Sequence, residues 1–301
     1  MQIQAPAKLN LCLYLGPRRD DGLHELCSLF EPLALADPIV VTEAERDEVV
    51  CPGVEGENLA ARALVALRER GWDGPPLRIE IEKRIPVAAG LGGGSADAAA
   101  VLRMAAEHGD FLSNSGKKSP LPDLEEIAAE LGADVPSQLS PALALVRGAG
   151  EKVERLSDPS PHAVVLLPGG GGLGTAEVFA EADRLGLGRD ETELDDLAER
   201  LNEAAGSGGS PLAYSELLVN DLEPAARSLR PEIGAALDAL RAAGSAHALL
   251  TGSGPTAFGL FASLAEARAA AGSLDRDDAI VCAAGTSGAR ISGTAGDDER
   301  R

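Results

Sequence analysis

The stretch "IPVAAGLGGGSADAAAVLRM", Ile85 to Met104, sets four glycines, Gly90, Gly92, Gly93 and Gly94, between an alternating apolar segment and an alanine-rich one. Glycine loses more backbone freedom on folding than any other residue. Such a cluster at the mouth of a helix therefore demands a reason. The preceding "PLRIEIEKRIPV" sets Leu77, Ile79 and Ile81 against charged neighbours, the period-two signature of a half-buried strand. The run that follows predicts a helix over Ser95 to His108. A helix N-terminus carries unpaired N–H groups and the positive end of a dipole, and glycines ahead of it let an anion approach the backbone. We read strand, glycine turn and helix together as a phosphate site; the plainer alternative is a turn that packs a helix closely on a sheet.

Two familiar phosphate loops do not fit. The Walker pattern needs a lysine after its last glycine, and here Ser95 and Ala96 follow Gly94. The dinucleotide pattern GxGxxG begun at Gly90 would need glycine where Ser95 stands. A second glycine run, "LLPGGGGLGTAEVF", does place Gly169, Gly171 and Gly174 in that spacing after a strand and before a helix. The acidic helical segment after it supplies no second strand, which disfavours an NAD(P)-dependent oxidoreductase.

Charge narrows the partners. The 301-residue chain has a net charge of −21, which argues against nucleic acid, whose binding needs a basic footprint. An anionic ligand would need localised donors to override that field. The four cysteines, Cys12, Cys27, Cys51 and Cys282, show no CxxC spacing and read as buried thiols, not as a disulfide framework or zinc site. No apolar run approaches a membrane span, and the N-terminus lacks a signal-peptide pattern. A cytoplasmic protein with no protein-built metal site is expected.

Along the chain, "QIQAPAKLNLCLYLG" reads as one or two strands, "DPIVVTEAE" as another and "NLAARALVALRERG" as a helix. "GDFLSNSGKKSPLP" reads as a surface loop and "DLEEIAAELG" as a short helix, while Pro136 and Pro141 exclude regular helix from "ADVPSQLSP". "ALALVRGAGEKVERL" returns to strand and "HAVVLLPGG" gives a further one. Helices are expected over 175–185, 191–205, 213–219 and 231–243. "AHALLTGSGPTAFGLFA" reads as two short strands about a turn, then come a helix and a last strand. Without strict strand–helix alternation the class is α+β. The linker-like "SDPSP" suggests domains at 1–158 and 159–286, with 287–301 a frayed tail.

Among candidate catalytic groups, Lys8 is one of only five lysines and sits in an otherwise apolar strand, where its compact charge suits a phosphate or a hydroxyl. Asp134, in "LGADVPSQL", is placed to accept a proton from a substrate hydroxyl or simply to cap a turn. The turn Gly252–Ser253–Gly254 offers either a tight reversal or backbone N–H groups for a second anion. His24 is one of four histidines, with no second ligand at metal spacing.

Taken together these segments resemble the GHMP small-molecule kinases. "PVAAGLGGGSADAAA" is similar to their phosphate loop. "APAKLNLCLYLGPRRDDGLHEL", "LGADVP", "NDLEP" and "TGSGPTAFGLF" resemble, in order, the motifs of the branch that phosphorylates the 2-hydroxyl of a cytidyl-diphospho methylerythritol in non-mevalonate isoprenoid synthesis. The resemblance implies a two-domain fold, ribosomal protein S5 domain 2-like and then ferredoxin-like. It implies ATP on Pro86, Val87, Ala88, Ala89, Gly90, Leu91, Gly92, Gly93, Gly94, Ser95 and Ala96, with Lys83 and Asn58 near the adenine and Mg²⁺ held mainly by the nucleotide. The catalytic pair falls on Lys8 and Asp134. Asn10, Leu23, His24, Phe179, Gly252, Ser253 and Gly254 would meet the substrate. A monomer or weak homodimer without a membrane partner is implied.

Three departures stand out. Leu23 replaces a tyrosine that in the family stacks on the cytosine, leaving Phe179 as the aromatic wall. The segment Ser137 to Pro141 lacks the family's aromatic and paired glycines, and the loop after residue 108 is longer. These keep open another GHMP kinase with a different alcohol, or a non-catalytic ligand-binding protein on the same fold.

Overall fold

The computed structural model describes residues 1–108 and 121–285. The expected tail, and all but the last two residues of the expected 109–122 loop, lie outside the described residues.

The chain opens with two long paired strands, β1 (Gln2–Arg18) and β2 (His24–Glu43). Then follow β3 (Glu48–Val50), α1 (Leu59–Glu69), β4 (Leu77–Ile81), α2 (Gly93–His108), α3 (Leu124–Leu131), α4 (Val135–Gln138), β5 (Ala144–Gly148) and β6 (Lys152–Arg155). The second half runs β7 (Ala163–Leu167), α5 (Thr175–Leu185), α6 (Glu191–Ala205), a 3₁₀ segment (Pro211–Leu217), α7 (Glu223–Leu229), α8 (Glu232–Ala242), β8 (His247–Leu250), β9 (Ala257–Phe261), α9 (Leu264–Ser273) and β10 (Ile280–Ala283).

β2 is the spine of the first sheet. It pairs with β1 along nearly its whole length, and its other edge is shared between β4 (over Ile39–Glu43) and β5 (over Leu26–Phe30). The second sheet, in the order β10-β7-β9-β8, is antiparallel throughout. The class is α+β, as the motif order implied.

Apolar side chains form three main cores, and β1 contributes to each. Ile3 and Ala5 pack beneath α1, α2 and α3 with Ile39, Ile79 and Ile81. Ala7, Leu9, Leu11, Cys12 and Tyr14 fill the space between the two sheets, with Val164, Leu166, Phe258 and Leu260 from the second. Leu13 and Leu15 join the core beneath α5, α7 and α8. A regular strand alternates strictly between two faces. β1 has three register shifts against β2, and the second, between Asn10 and Cys12, breaks that alternation. After the second shift the inter-sheet core takes even-numbered residues in place of odd ones, which is what a bulge does to facing.

Several elements differ from the sequence expectation. "ADVPSQLSP" does contain one turn of helix, Val135–Gln138, because Pro136 sits in the first turn, where a missing N–H costs nothing. "ALALVRGAGEKVERL" is a hairpin of two strands, with Gly148 and Gly150 at positive φ. The first half of β2 was not expected as strand; it is bordered by β1 and β5 and shows no clean polar alternation. The helix expected over 213–219 is the 3₁₀ segment, and α7, which begins within "NDLEP", was not expected at all.

One polar pair crosses the inter-sheet core. Glu31 of β2 and His162, just before β7, are both buried, and His162 Nε2 lies 3.1 Å from Glu31 Oε2. Burial pushes the Glu31 carboxyl up, against the pull of His162. Burial works to lower His162, and the Glu31 contact outweighs it and raises the imidazole above its usual 6.5. Both shifts are upward, so the folded protein holds protons here more tightly than the unfolded chain does. The stability this pair contributes is therefore full only below pH 4.5, the usual value of the Glu31 carboxyl, and is lost as pH rises through the folded-state titrations of the two groups. In thermal melts, the excess in Tm of the parent over Glu31→Gln is expected to shrink from pH 6 to about pH 9. An offset constant across that range contradicts the linkage.

Candidate active site

The glycine turn runs from the end of β4 into α2. Ala88, Gly90 and Gly92 all have positive φ (54°, 77° and 68°), so the chain reverses sharply. Close approach explains two of the glycines. A Cβ on Gly90 would lie 2.8 Å from the Thr251 carbonyl oxygen and 2.9 Å from that of Gly254, and one on Gly92 would lie 3.0 Å from Lys8 Cγ. Close packing, the plainer of the two readings posed by the sequence, thus accounts for the glycine at these two positions. Among the described residues no protein acceptor takes the amide hydrogens of Gly92, Gly93, Gly94 or Ser95, as expected of a helix start. Leu91 points into the inter-sheet core and its carbonyl accepts the Lys8 amide.

This turn is one wall of a cavity of about 470 Å³. Residues Pro86 to Ser95, Asn58, Lys83 and Asp97 line it. Ala96 does not: it is buried among the side chains under α2, and its N–H bonds Gly92 O within the helix. Asn58 caps α1, its Oδ1 accepting from the amides of Ala60 and Ala61. Lys83 Nζ donates to Asp37 Oδ2 and, at 2.8 Å, to Asp97 Oδ2. Burial raises the Asp97 carboxyl, opposed by Lys83, while Lys83, despite burial, is held above the usual lysine value by the two carboxylates. Asp37 in turn accepts the amides of Arg84 (2.6 Å) and Ile85 (2.8 Å), so this triad fixes the entry to the turn.

A second cavity, of about 650 Å³, lies along β1. The two share Gly90, Gly92 and Thr175. At the shared end Lys8 Nζ sits 3.2 Å from Asp134 Oδ2 and donates to Asn10 Oδ1 at 2.6 Å, with the Phe30 ring centroid 4.6 Å away. Asn10 Nδ2 donates to Ser28 Oγ at 2.9 Å, and that hydroxyl donates to Cys12 O. The chain folds this way locally because Lys8 and Asn10 lie on the β1 face opposite Ala7, Leu9 and Leu11, between the first two register shifts. Asp134 occupies the N-cap position of α4 yet makes no capping hydrogen bond; its carboxylate turns to Lys8 instead. Lys8 is 6% exposed and Asp134 31%, so the ammonium is fixed within the protein while the carboxylate still reaches the cavity.

At the far end Leu23, His24 and Phe179 line the same cavity. Leu23 is 54% exposed. The His24 and Phe179 rings are 5.4 Å apart and tilted, and His24 Nε2 lies 2.8 Å from Asp183 Oδ1. Gly252 and Ser253 reach the wall, and Ser253 Oγ meets Thr175 Oγ1 at 3.1 Å. Gly254 does not reach it: it stands at positive φ before the cis-proline Pro255, its backbone close to Leu250 and Gly90.

Asp37, Asp97, Thr175 and Asp183 escaped the sequence reading. Asp97 alone left a signal, as the acid that follows "GGGSA". The second glycine run packs instead of binding a dinucleotide: Gly169 abuts Pro255, Gly172 abuts Ala88, and Arg230 donates to the carbonyls of Gly170 and Gly172. Among the described residues no helix is long and apolar enough to cross a membrane.

Two sheets, a glycine turn feeding a helix, and a lysine–aspartate pair between adjoining cavities define a small-molecule kinase of the GHMP class. The family model for the GHMP kinases N terminal domain matches residues 58–142, and that for GHMP kinases C terminal matches 192–280. With its relatives taken into account, the chain belongs to the 4-diphosphocytidyl-2-C-methyl-D-erythritol kinase family. The kinase of that name from Thermobifida fusca is 39% identical over 90% of each chain, and that of Mesorhizobium japonicum is 37% identical over 85% of each. A crystal structure of a 4-(cytidine 5'-diphospho)-2C-methyl-D-erythritol kinase superposes with a TM-score of 0.76 at 36% identity, covering 95% of this chain and 99% of that one. A homoserine kinase from Cytophaga hutchinsonii, 18% identical with a TM-score of 0.63 and more than nine-tenths of each chain covered, shares the fold.

Replacing Gly90 by alanine forces a side chain into the left-handed region and against two carbonyls, a strain of about 1–3 kcal/mol. Gly170 has open space around it and no positive φ. Gly90→Ala should lower Tm by several degrees and Gly170→Ala should not; equal Tm values for the two variants would show that the turn does not need its glycine for close approach.

Proposed function

We propose that the protein transfers the γ-phosphoryl group of ATP to the 2-hydroxyl of 4-diphosphocytidyl-2-C-methyl-D-erythritol, a step of non-mevalonate isoprenoid precursor synthesis. The observation that carries this reading is the Lys8–Asp134 pair standing where two cavities share Gly90, Gly92 and Thr175. One cavity has an unpaired helix N-terminus for a triphosphate. The other is lined by the pair, where an alcohol would sit, and by Phe179, where a nucleobase would.

Phosphoryl transfer is mostly positioning and electrostatics. Asp134 accepts the proton of the attacking hydroxyl or orients it. Lys8, fixed by Asn10, offsets the charge that develops on the attacking and transferred oxygens. The free amides of Gly92 to Ser95 hold phosphate oxygens without adding side-chain cations to an acidic protein. Lys83 and Asn58 sit at the adenine end of the nucleotide cavity. Its acidic lining is Glu57 and Asp97, and Asp97 is engaged by Lys83. Mg²⁺ would therefore be held mainly by the triphosphate, where it neutralises phosphate charge. Phe179 supplies one face for cytosine and His24, held by Asp183, the edge beside it.

Asp134→Asn removes the base but keeps the shape. It should lower kcat by about 10²–10⁴-fold with ATP affinity nearly unchanged; lost ATP binding would assign Asp134 to the nucleotide instead. Phe179→Ala should raise KM for the cytidyl substrate roughly 10-fold and leave KM for ATP in place. A parallel rise in both KM values removes the stacking role.

A further inference from the structure

Four charged side chains line the cavity along β1: Lys8, Arg18, Asp134 and Asp183. Lys8 is paired with Asp134, and Asp183 meets the His24 ring. Arg18 alone has no charged partner among the described residues, in a chain that carries 48 acidic side chains against 27 basic ones. Its neighbour Arg19 shows the ordinary outcome, with Asp21, Glu25 and Glu151 around it.

Arg18 is exposed and anchored at one point. It ends β1 opposite His24, the first residue of β2, so it stands at the end of the cavity bounded by Leu23, His24 and Phe179. Its Nε donates to Gly22 O at 3.3 Å, and Nη2 lies 3.7 Å from where a Cβ on Gly22 would be. The guanidinium thus lies against the Gly22 turn with one of its five N–H donors used; among the described residues the other four carry no partner. Such a fork, charged and unengaged on a cavity wall, matches a phosphate.

Resting on the functional reading above, we propose that Arg18 is a specificity-determining residue that grips the diphosphate of the substrate. A ligand with its base against Phe179 and its alcohol beside Lys8 must run its diphosphate along β1 from the base end, where Arg18 stands, toward Lys8. Lys8 is committed to Asp134 and to the reacting hydroxyl. The unpaired helix N-terminus lies in the other cavity. Arg18 is therefore the one cation left in this cavity to meet that charge, and it favours a nucleoside diphosphate conjugate over a neutral alcohol.

The test measures binding of CDP and of cytidine by calorimetry to the parent, Arg18→Ala and Arg18→Lys, with turnover of the cytidyl-diphospho alcohol by the parent followed in parallel. In Arg18→Ala, CDP affinity should fall about 10- to 100-fold, the range for losing charge-assisted hydrogen bonds, while cytidine affinity and KM for ATP stay within twofold. Arg18→Lys should recover part of the loss through charge alone. Equal weakening of CDP and cytidine would assign Arg18 to the base and overturn the proposal, as would no change in either. If the parent turns over the alcohol but CDP binding ignores residue 18, the proposal fails and the reaction stands. If the alcohol is not phosphorylated yet CDP binding depends on Arg18, the reaction fails and the anion site stands. A parent that neither binds CDP nor phosphorylates the alcohol overturns both, and one that phosphorylates the alcohol without binding CDP overturns the proposal alone.

Discussion

The contact between the Gly90 turn and the 251–254 turn holds the two halves of the site in register. The first belongs to the β4–α2 connection and the second to the β8–β9 connection, more than 150 residues later. Only a residue without a Cβ lets them meet, since the Thr251 and Gly254 carbonyls approach Gly90 so closely. Polar bonds close the same seam. The Asn10 amide donates to Thr251 Oγ1 at 2.9 Å, and Asn220 Nδ2 donates to the carbonyls of Leu250 (2.7 Å) and Gly252 (2.8 Å). β1, the glycine turn and the second sheet are thereby fixed to one another within a few ångströms of Lys8. Catalysis by positioning needs such rigidity, because small displacements of reacting groups are costly.

The "NDLEP" segment illustrates how a motif can be visible without being understood. Its residues stand out in the sequence through resemblance, with no chemistry attached. In the fold, Asn220 braces the 250–252 turn, and Asp221 takes the Leu15 amide and a two-pronged bond from Arg189. Both are supports for the walls of the site. No periodicity signals such a role, because these partners are groups far away in sequence.

Legibility followed locality. The helices over 175–185 and 191–205 were read to the residue, since capping and the 3.6-residue apolar spacing are local properties. The glycine turn was legible because it combines composition with its place between strand and helix. The first half of β2 was not, because a strand bordered on both edges and buried along much of its length loses the polar alternation that marks a surface strand. Asp97 and Asp37 were missed for a related reason. A buried carboxylate is an improbable choice until the lysine that both share is known, and Lys83 is brought to them only by the folded β4–α2 connection. Arg18 and Arg19 are adjacent and alike in sequence; only the fold separates the one that is neutralised from the one that is not.

The three-way allegiance of β1 has a consequence for how this protein can change over time. Each of its side chains is assigned to a core by counting along the strand, and the count is reset at the bulge between Asn10 and Cys12. A swap of one aliphatic for another disturbs a single neighbourhood. The gain or loss of one residue between Pro6 and Arg18 would instead send every later side chain to the wrong compartment and carry Lys8 or Asn10 away from the seam. In this strand, number is guarded more strictly than identity, and divergence should accumulate as substitutions in a segment of constant length.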